Sequence, residues 1–226
     1  MSVPKSRAAP VRIAPFAVFM LVLAVRGALP DGNALGLDQR WIYLLAVLLV
    51  GGLLCWFWRE YGELALTSLP TLSEVVLAAV VGLAVFWLWA VLDAPWMQLE
   101  PPSASFVPVD ANGRLQWLLI IIRWVGAALV VPVMEELFWR SFLMRWLENR
   151  HFQSVDPRRV GLRAVVLSTV IFTLAHTLWL AASLAGLAYA WLYLRTGKLW
   201  VSVIAHAVTN GVLGVWVVTN KAWAFW

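Results

Sequence analysis

Residues Leu115 to Trp146 read LQWLLIIIRWVGAALVVPVMEELFWRSFLMRW. From Leu115 to Val133 the only charged side chain is Arg123, and the run then presents Glu135, Glu136 and Arg140 without losing its apolar character. About 20 consecutive apolar residues are enough to cross the hydrocarbon core of a bilayer, so the segment predicts a membrane helix with charges at membrane depth. Such a charge at the bilayer centre costs roughly 2.5 to 3.5 kcal/mol on insertion scales, and it is tolerated where polar groups meet one another. Two further polar islands in apolar surroundings answer it: Phe172-Thr173-Leu174-Ala175-His176 and His206-Ala207-Val208-Thr209-Asn210. Together the three predict one site inside a membrane protein.

Composition agrees. Hydrophobic residues make up 62% of the 226, charged residues only 13%, and mean hydropathy is +0.81, which excludes a soluble domain. Apolar runs recur at Ile13 to Leu29, Trp41 to Trp58, Glu74 to Leu92, Leu115 to Val133 and on toward Trp146, Gly161 to Leu178, Ala181 to Leu194 and Leu199 to Val218. The expected fold is therefore all-α, a polytopic transmembrane helix bundle of seven to eight spans, with the eighth hidden in the long stretch from Leu115 to Trp146. Trp41, Trp58, Trp96 and Trp200 fall at span edges, where interfacial belts form. The first run is too long for a signal-peptide core, and no small-x-small cleavage site precedes Asp31. The single Cys55 lies in the second run, excludes an intramolecular disulfide and is expected to serve packing.

The formal net charge of +5 needs no nucleic acid to explain it. With the N-terminus inside, eleven of the 17 Lys and Arg residues fall on cytoplasmic segments, Lys5, Arg7, Arg12, Arg158 and Arg159 among them. Arg26, Arg40, Arg114 and Lys221 fall outside, and Arg123 and Arg140 within a span. The basic cluster at Arg158 and Arg159 reads as a topology signal at an anionic leaflet. Residues 1–112 carry three spans without polar islands and end in a Pro-rich acidic loop from Asp93 to Asp110, with Pro95, Pro101, Pro102 and Pro108; residues 113–226 carry the chemistry. No Gly-rich phosphate loop supports nucleotide-driven transport.

Each island has a chemical reading. Glu136 and Arg140 are four apart, so on a helix they stack and pair, the acid on the N-terminal side where that geometry is better. Glu135 then points about 100° away without a cation, the situation of a general base. Pro132 removes a helix hydrogen bond and is expected to kink or start a helix, opening room for water near Glu135. His206 and Asn210, again four apart, are donors able to hold an oxyanion. Phe172 lies one turn before His176, so its ring can fix the imidazole, which holds or hands on a proton. His151, in a polar loop, is expected to be solvent-exposed.

Glu-Glu-x-x-x-Arg, Phe-x-x-x-His and His-x-x-x-Asn, in that order and each on a membrane helix, resemble the CAAX-protease and bacteriocin-processing family of intramembrane proteases, which includes the Rce1-type prenyl-protein endopeptidases. The resemblance covers about residues 113 to 226. It implies a bundle of about eight spans, no metal and no other cofactor, and cleavage of a peptide bond in a membrane-associated or lipidated protein substrate. Glu135 would activate water with help from His176, His206 and Asn210 would hold the oxyanion, and Arg140 would organise the site through Glu136. The Phe138 to Phe142 stretch is similar to members encoded with bacterial exosortase protein-sorting systems, which implies partners from such a system and a place in the bacterial inner membrane. The family's usual Arg-Gly pair is Arg140-Ser141 here.

Other readings stay open at this level. Glu135, His176 and His206 form a reasonable zinc set, although no His-Glu-x-x-His helix is present. A non-catalytic membrane chaperone or bacteriocin-immunity protein would share the scaffold. A proton-relay transporter fits less well, because the acids cluster instead of lining a path. There is also a geometric conflict. Counted from Leu115, Glu135 lies about 30 Å along its helix, while His176, counted from Gly161, falls near the opposite face. The expected resolution is that Leu115 to Arg123 forms a separate interfacial or re-entrant piece, with the span starting near Trp124.

Overall fold

The computed structural model describes residues 7–29, 38–100 and 106–226; Lys5, Asp31, Pro101 and Pro102 lie outside them. Seven helical segments follow the seven apolar runs: α1 (Ala8–Ala28), α2 (Ile42–Trp56), α3 (Leu72–Val91), α4 (Trp117–Glu148), α5 (Leu162–Leu174), α6 (Trp179–Thr196) and α7 (Leu199–Asn220). α1, α2 with its leading turn, α3, α4 and α7 are long and apolar enough to cross a membrane, while α5 is a shorter apolar helix. Among the described residues the one trace of β pairing is a bridge between Val109 and Leu115 that closes the turn leading into α4. The architecture is an all-α helical membrane bundle.

Local chemistry fixes the ends. Thr71 accepts from the Glu74 amide while the Glu74 carboxylate accepts from the Thr71 amide, a capping box that starts α3. α6 stops at Gly197, whose φ of 70° is the left-handed conformation in which its amide reaches the Tyr193 carbonyl. Helix contacts rely on small residues, as membrane bundles do. α3 packs most extensively on α7, and a Cβ on Gly82 would stand 2.5 Å from the Ala205 carbonyl oxygen.

α4 corrects two expectations. It is one continuous helix of 32 residues, so no interfacial piece separates at Arg123 and no eighth span is hidden in it. Pro132 stands in the first turn of the Val131–Glu136 stretch, the helix-start position the sequence allowed. Immediately before the proline, Gly126–Val130 widen into an i→i+5 turn in which the Val131 amide donates to the Gly126 carbonyl. The extra residue in that turn accommodates the missing amide and the ring, so the helix runs on. A second widened stretch covers Leu137–Met144.

The depth conflict resolves another way. α4 is about 48 Å long, so Glu135 sits just past its midpoint, whereas the 13 residues of α5 cover only about 20 Å. His176, two residues beyond the end of α5, is therefore at mid-depth as well. The chain after α5 is tied down by the loop before α4: the Leu99 amide donates to the Thr177 carbonyl, and Trp179 Nε1 to the Trp96 carbonyl at 3.0 Å. Irregular backbone at this depth is satisfied by protein, as it must be away from water.

A second polar cluster joins residues of the first 64 positions to the end of α4. Arg12, buried in α1, donates to both carboxylate oxygens of Glu63 at 2.8 and 2.6 Å. The Ser141 hydroxyl donates to the same carboxylate and accepts from Arg145 Nη2 at 2.9 Å. Arg12 and Arg145, expected to be cytoplasmic flanking charges, thus also pin α1 and the α2–α3 turn to the end of α4. Burial alone would raise the Glu63 pKa, but the hydrogen bonds and charge of Arg12, with the Ser141 hydroxyl, outweigh it and hold the carboxyl below its ordinary value. Cys55, expected to be packed, is exposed on the bundle's outer face. His151 is exposed as expected.

Candidate active site

The three polar islands converge on one cavity of about 350 Å³ enclosed by α1, α3, α4, α6 and α7, with Glu135, His176, His206 and Asn210 all on its wall. Glu136 and Arg140 stand directly behind them. Glu136 is fully buried, and its Oε1 accepts from Arg140 Nη1 at 3.1 Å, the pairing predicted by their spacing. The same oxygen lies 2.9 Å from His206 Nδ1. A carboxylate can only accept here, so Nδ1 carries a hydrogen and Nε2 is turned toward the cavity.

Arg140 is enclosed by protein. Its guanidinium carbon is 4.6 Å from the Phe172 ring centre and 5.4 Å from that of Tyr189, and Nη2 donates to the Gly186 carbonyl at 3.3 Å. It cannot reach out to a substrate without leaving this cage.

Glu135 faces the other way, as the 100° step requires. It is 8% exposed, and its Oε2 is buried without a hydrogen-bond partner. Opposite it, His176 Nδ1 is 2.8 Å from the Phe172 carbonyl, which can only accept, so a neutral ring leaves Nε2 free to take a proton. The ring is held by Phe172 at 4.3 Å and by the edge of Trp89 at 5.7 Å, the aromatic clamp the sequence suggested with one member added.

On α7, Asn210 spends one amide hydrogen on the Ala127 carbonyl at 2.9 Å and retains the second. Sequence reasoning missed the scaffold behind His206. Tyr189 stacks on its ring at 4.9 Å and 18°, and the tyrosine hydroxyl donates to Thr209 Oγ1 at 2.8 Å. Thr209 in turn bonds the Gly82 and Ala205 carbonyls at 2.9 and 3.0 Å, tying α3, α6 and α7 together. Thr209 was visible inside the third island; Tyr189 had no signal beyond being a hydroxyl in an apolar run. Trp139 Nε1, a buried donor without a partner, belongs to a side chain on the same cavity.

Among the described residues no three His, Cys, Asp or Glu side chains come close enough together to hold a metal ion. Glu135, His176 and His206 therefore do not assemble into the zinc set that the sequence allowed.

Residues 116–212 match the family model of Rce1-like type II CAAX prenyl endopeptidases. Over this segment, less than half of its length, the chain is similar to the Rce1-like family. All six residues singled out in the polar islands fall inside it. No curated protein and no solved structure matches the chain. Rce1-like proteins are membrane-embedded CAAX-type proteases, and a helical membrane bundle with a polar cavity at mid-depth is the structure that kind of activity requires.

Proposed function

We propose that the chain is an intramembrane endopeptidase in which Glu135 activates water. The observation that carries this reading is the buried, partnerless Glu135 Oε2 on a cavity shared with two oriented imidazoles and a carboxamide. Glu135 takes a proton from water as the oxygen bonds to the scissile carbonyl carbon. The carbonyl oxygen becomes an oxyanion facing His206 Nε2 and the remaining Asn210 amide hydrogen. When the carbon–nitrogen bond breaks, the departing amine takes the proton back from Glu135, with His176 Nε2 as the relay. Donation from His206 Nε2 needs a hydrogen there while Nδ1–H faces Glu136, so the donor form is the imidazolium, which the Glu136 carboxylate offsets.

In this reading residues 1–112 are the positioning half and 113–226 the catalytic half, although the two fold together through Glu63 and Gly82. The substrate is a membrane-associated or lipidated protein, partners from an exosortase system fit the Phe138 to Phe142 stretch, and the N-terminus is cytoplasmic in a bacterial inner membrane. Glu135→Gln tests the mechanism: turnover of a membrane-anchored peptide substrate should fall at least about 10²-fold with folding unchanged, and near-normal cleavage would refute the assignment. A chelator should leave wild-type cleavage unaffected. For orientation, in a Cys55→Ala background a cysteine at Asn112 should be labelled by an impermeant reagent from outside and one at Ser154 should not; the reverse pattern overturns it.

A further inference from the structure

Glu136 and Arg140 are a carboxylate and a donor four positions apart, and Glu135 and Trp139 repeat that spacing one position earlier. The outcome differs. Arg140 reaches Glu136 at 3.1 Å, whereas Glu135 Oε2 and Trp139 Nε1 are both buried and neither has a hydrogen-bond partner among the described residues. Both side chains line the cavity that holds His176, His206 and Asn210. A buried donor left without a partner costs free energy, and inside a membrane bundle there is little water to relieve it. An acceptor and a donor without partners on one cavity wall call for a ligand that serves both. Glu135 has its use in the proposed mechanism, since it takes the proton of water. The indole N–H has no part in those steps.

The indole is held firmly. Its ring meets Phe16 of α1 at 5.0 Å, Phe138 at 4.7 Å and Phe172 of α5 at 5.5 Å, each edge to face, and none of these side chains offers an oxygen. The Leu137–Met144 stretch that carries it is the second widened turn of α4, a backbone form frequent at functional sites. Phe172 is also the ring that clamps His176, at 4.3 Å. The stretch packs against α1 and α5, and only lightly against α7, the helix of His206 and Asn210. Trp139 therefore stands on the His176 side of Glu135, the side on which the departing amine receives its proton. Side chains one turn apart on a helix face are about 5 to 6 Å apart at Cβ, and extended chain advances about 3.3 to 3.6 Å per residue. The next main-chain carbonyl of a peptide held at Glu135 thus falls within reach of Trp139.

Resting on the endopeptidase reading above, we propose that Trp139 Nε1 holds the substrate by its main chain, donating to the carbonyl of the first residue on the leaving side of the cut. The ligand it takes is extended peptide backbone, so this contact fixes the register of the scissile bond over Glu135 without reading a side chain.

The test uses the full chain in lipid nanodiscs with neutral apolar peptides of mixed sequence, and product masses locate the cut. The peptide cleaved fastest is remade in two forms at the link that follows the first leaving-side residue. A trans-alkene there removes the carbonyl without adding charge, and an ester keeps the carbonyl while removing only the N–H. Trp139→Phe should lower kcat/KM about three- to tenfold on the parent and ester peptides, the scale of one neutral hydrogen bond, and leave the alkene peptide unchanged. The alkene should slow wild type by a similar factor and add nothing in the variant, the signature of one shared contact. Should Trp139→Phe fail to fold, benzothienylalanine introduced at position 139 keeps the bicyclic ring, replaces the N–H with sulfur and should give the same pattern. Equal losses on parent and alkene peptides, no loss with benzothienylalanine, or coupling to a carbonyl on the other side of the cut would overturn the proposal; equal losses would mark the indole as packing among its three rings. Binding of the same peptides, fluorescently labelled, to Glu135→Gln separates this proposal from the one it rests on. Where wild type cuts nothing, an alkene walked along the tightest-binding peptide that lowers affinity at a single link, and only while the indole N–H is present, keeps the donor and counts against hydrolysis. Affinity indifferent to the indole N–H removes the donor.

Discussion

His206 Nδ1 and Glu136 Oε1 lie 2.9 Å apart across 70 positions of sequence, on the carboxylate oxygen that also receives Arg140. One buried acid thus sets the rotamer and tautomer of the imidazole and at the same time neutralises the guanidinium. Removing that acid should do two kinds of damage. Glu136→Gln should lower kcat about 10² to 10³-fold by releasing an oxyanion donor, and should cost about 3 to 5 kcal/mol by leaving Arg140 as an orphan buried charge. Thermal melting in detergent alongside single-turnover cleavage checks both. Adding Arg140→Gln to Glu136→Gln should restore most of the melting temperature and none of the rate.

Asn210 has one amide hydrogen committed to the Ala127 carbonyl and one free. Asn210→Asp removes both donors with little change of shape, and Asn210→Ala removes the group. Both should lower kcat with KM nearly constant, by about 2.7 to 4 kcal/mol of transition-state stabilisation. A change confined to KM would place Asn210 in substrate binding.

Ser141 follows Arg140 in α4, and its hydroxyl links Glu63 to Arg145. Ser141→Ala should destabilise by about 1 to 3 kcal/mol, since buried polar groups lose a partner, while kcat per folded molecule stays near wild type. Melting and active-site-normalised rates distinguish this from a catalytic role.

Glu63 gives a pH signature. Its folded pKa is depressed, so the stability it contributes is present in full above the ordinary glutamate range and is lost as pH falls through the depressed value. The melting temperature of wild type should decline over that acidic window more steeply than that of Glu63→Gln. Parallel curves would show that Glu63 does not carry the effect.

Much of this was legible in the sequence because a membrane makes polar residues conspicuous. Glu135, Glu136, Arg140, His176, His206 and Asn210 stood out as islands in apolar runs, and their four-residue spacings gave the Glu136–Arg140 pair directly. What the sequence concealed was whatever depends on distance between helices. Nothing about Glu136 announces a histidine 70 positions away, and Glu63, in a turn between spans, stands in no motif that points to Arg12 or Arg145. At Pro132 the sequence predicted a kink or a helix start; it gave no sign of the widened turn one step earlier through which α4 runs on. Depth failed for a related reason, because counting residues from a span's start assumes that every span crosses the whole bilayer.

α5 does not cross it. Thirteen residues cover about 20 Å of a hydrocarbon layer about 30 Å thick, and Trp96 and Trp179, the residue types that settle at the lipid–water boundary, close the end of α5 beside His176. The acyl chains next to α5 must therefore shorten or tilt to meet that boundary, a mismatch that costs fractions of a kcal/mol for each ångström. The short helix predicts a dimple in the leaflet over its end, and under the proposed mechanism the water that Glu135 activates would have that much less lipid to cross. Bilayers of longer acyl chains should resist the dimple and slow cleavage, and shorter ones should speed it; a rate that ignores chain length in reconstituted vesicles would show that the membrane stays flat there.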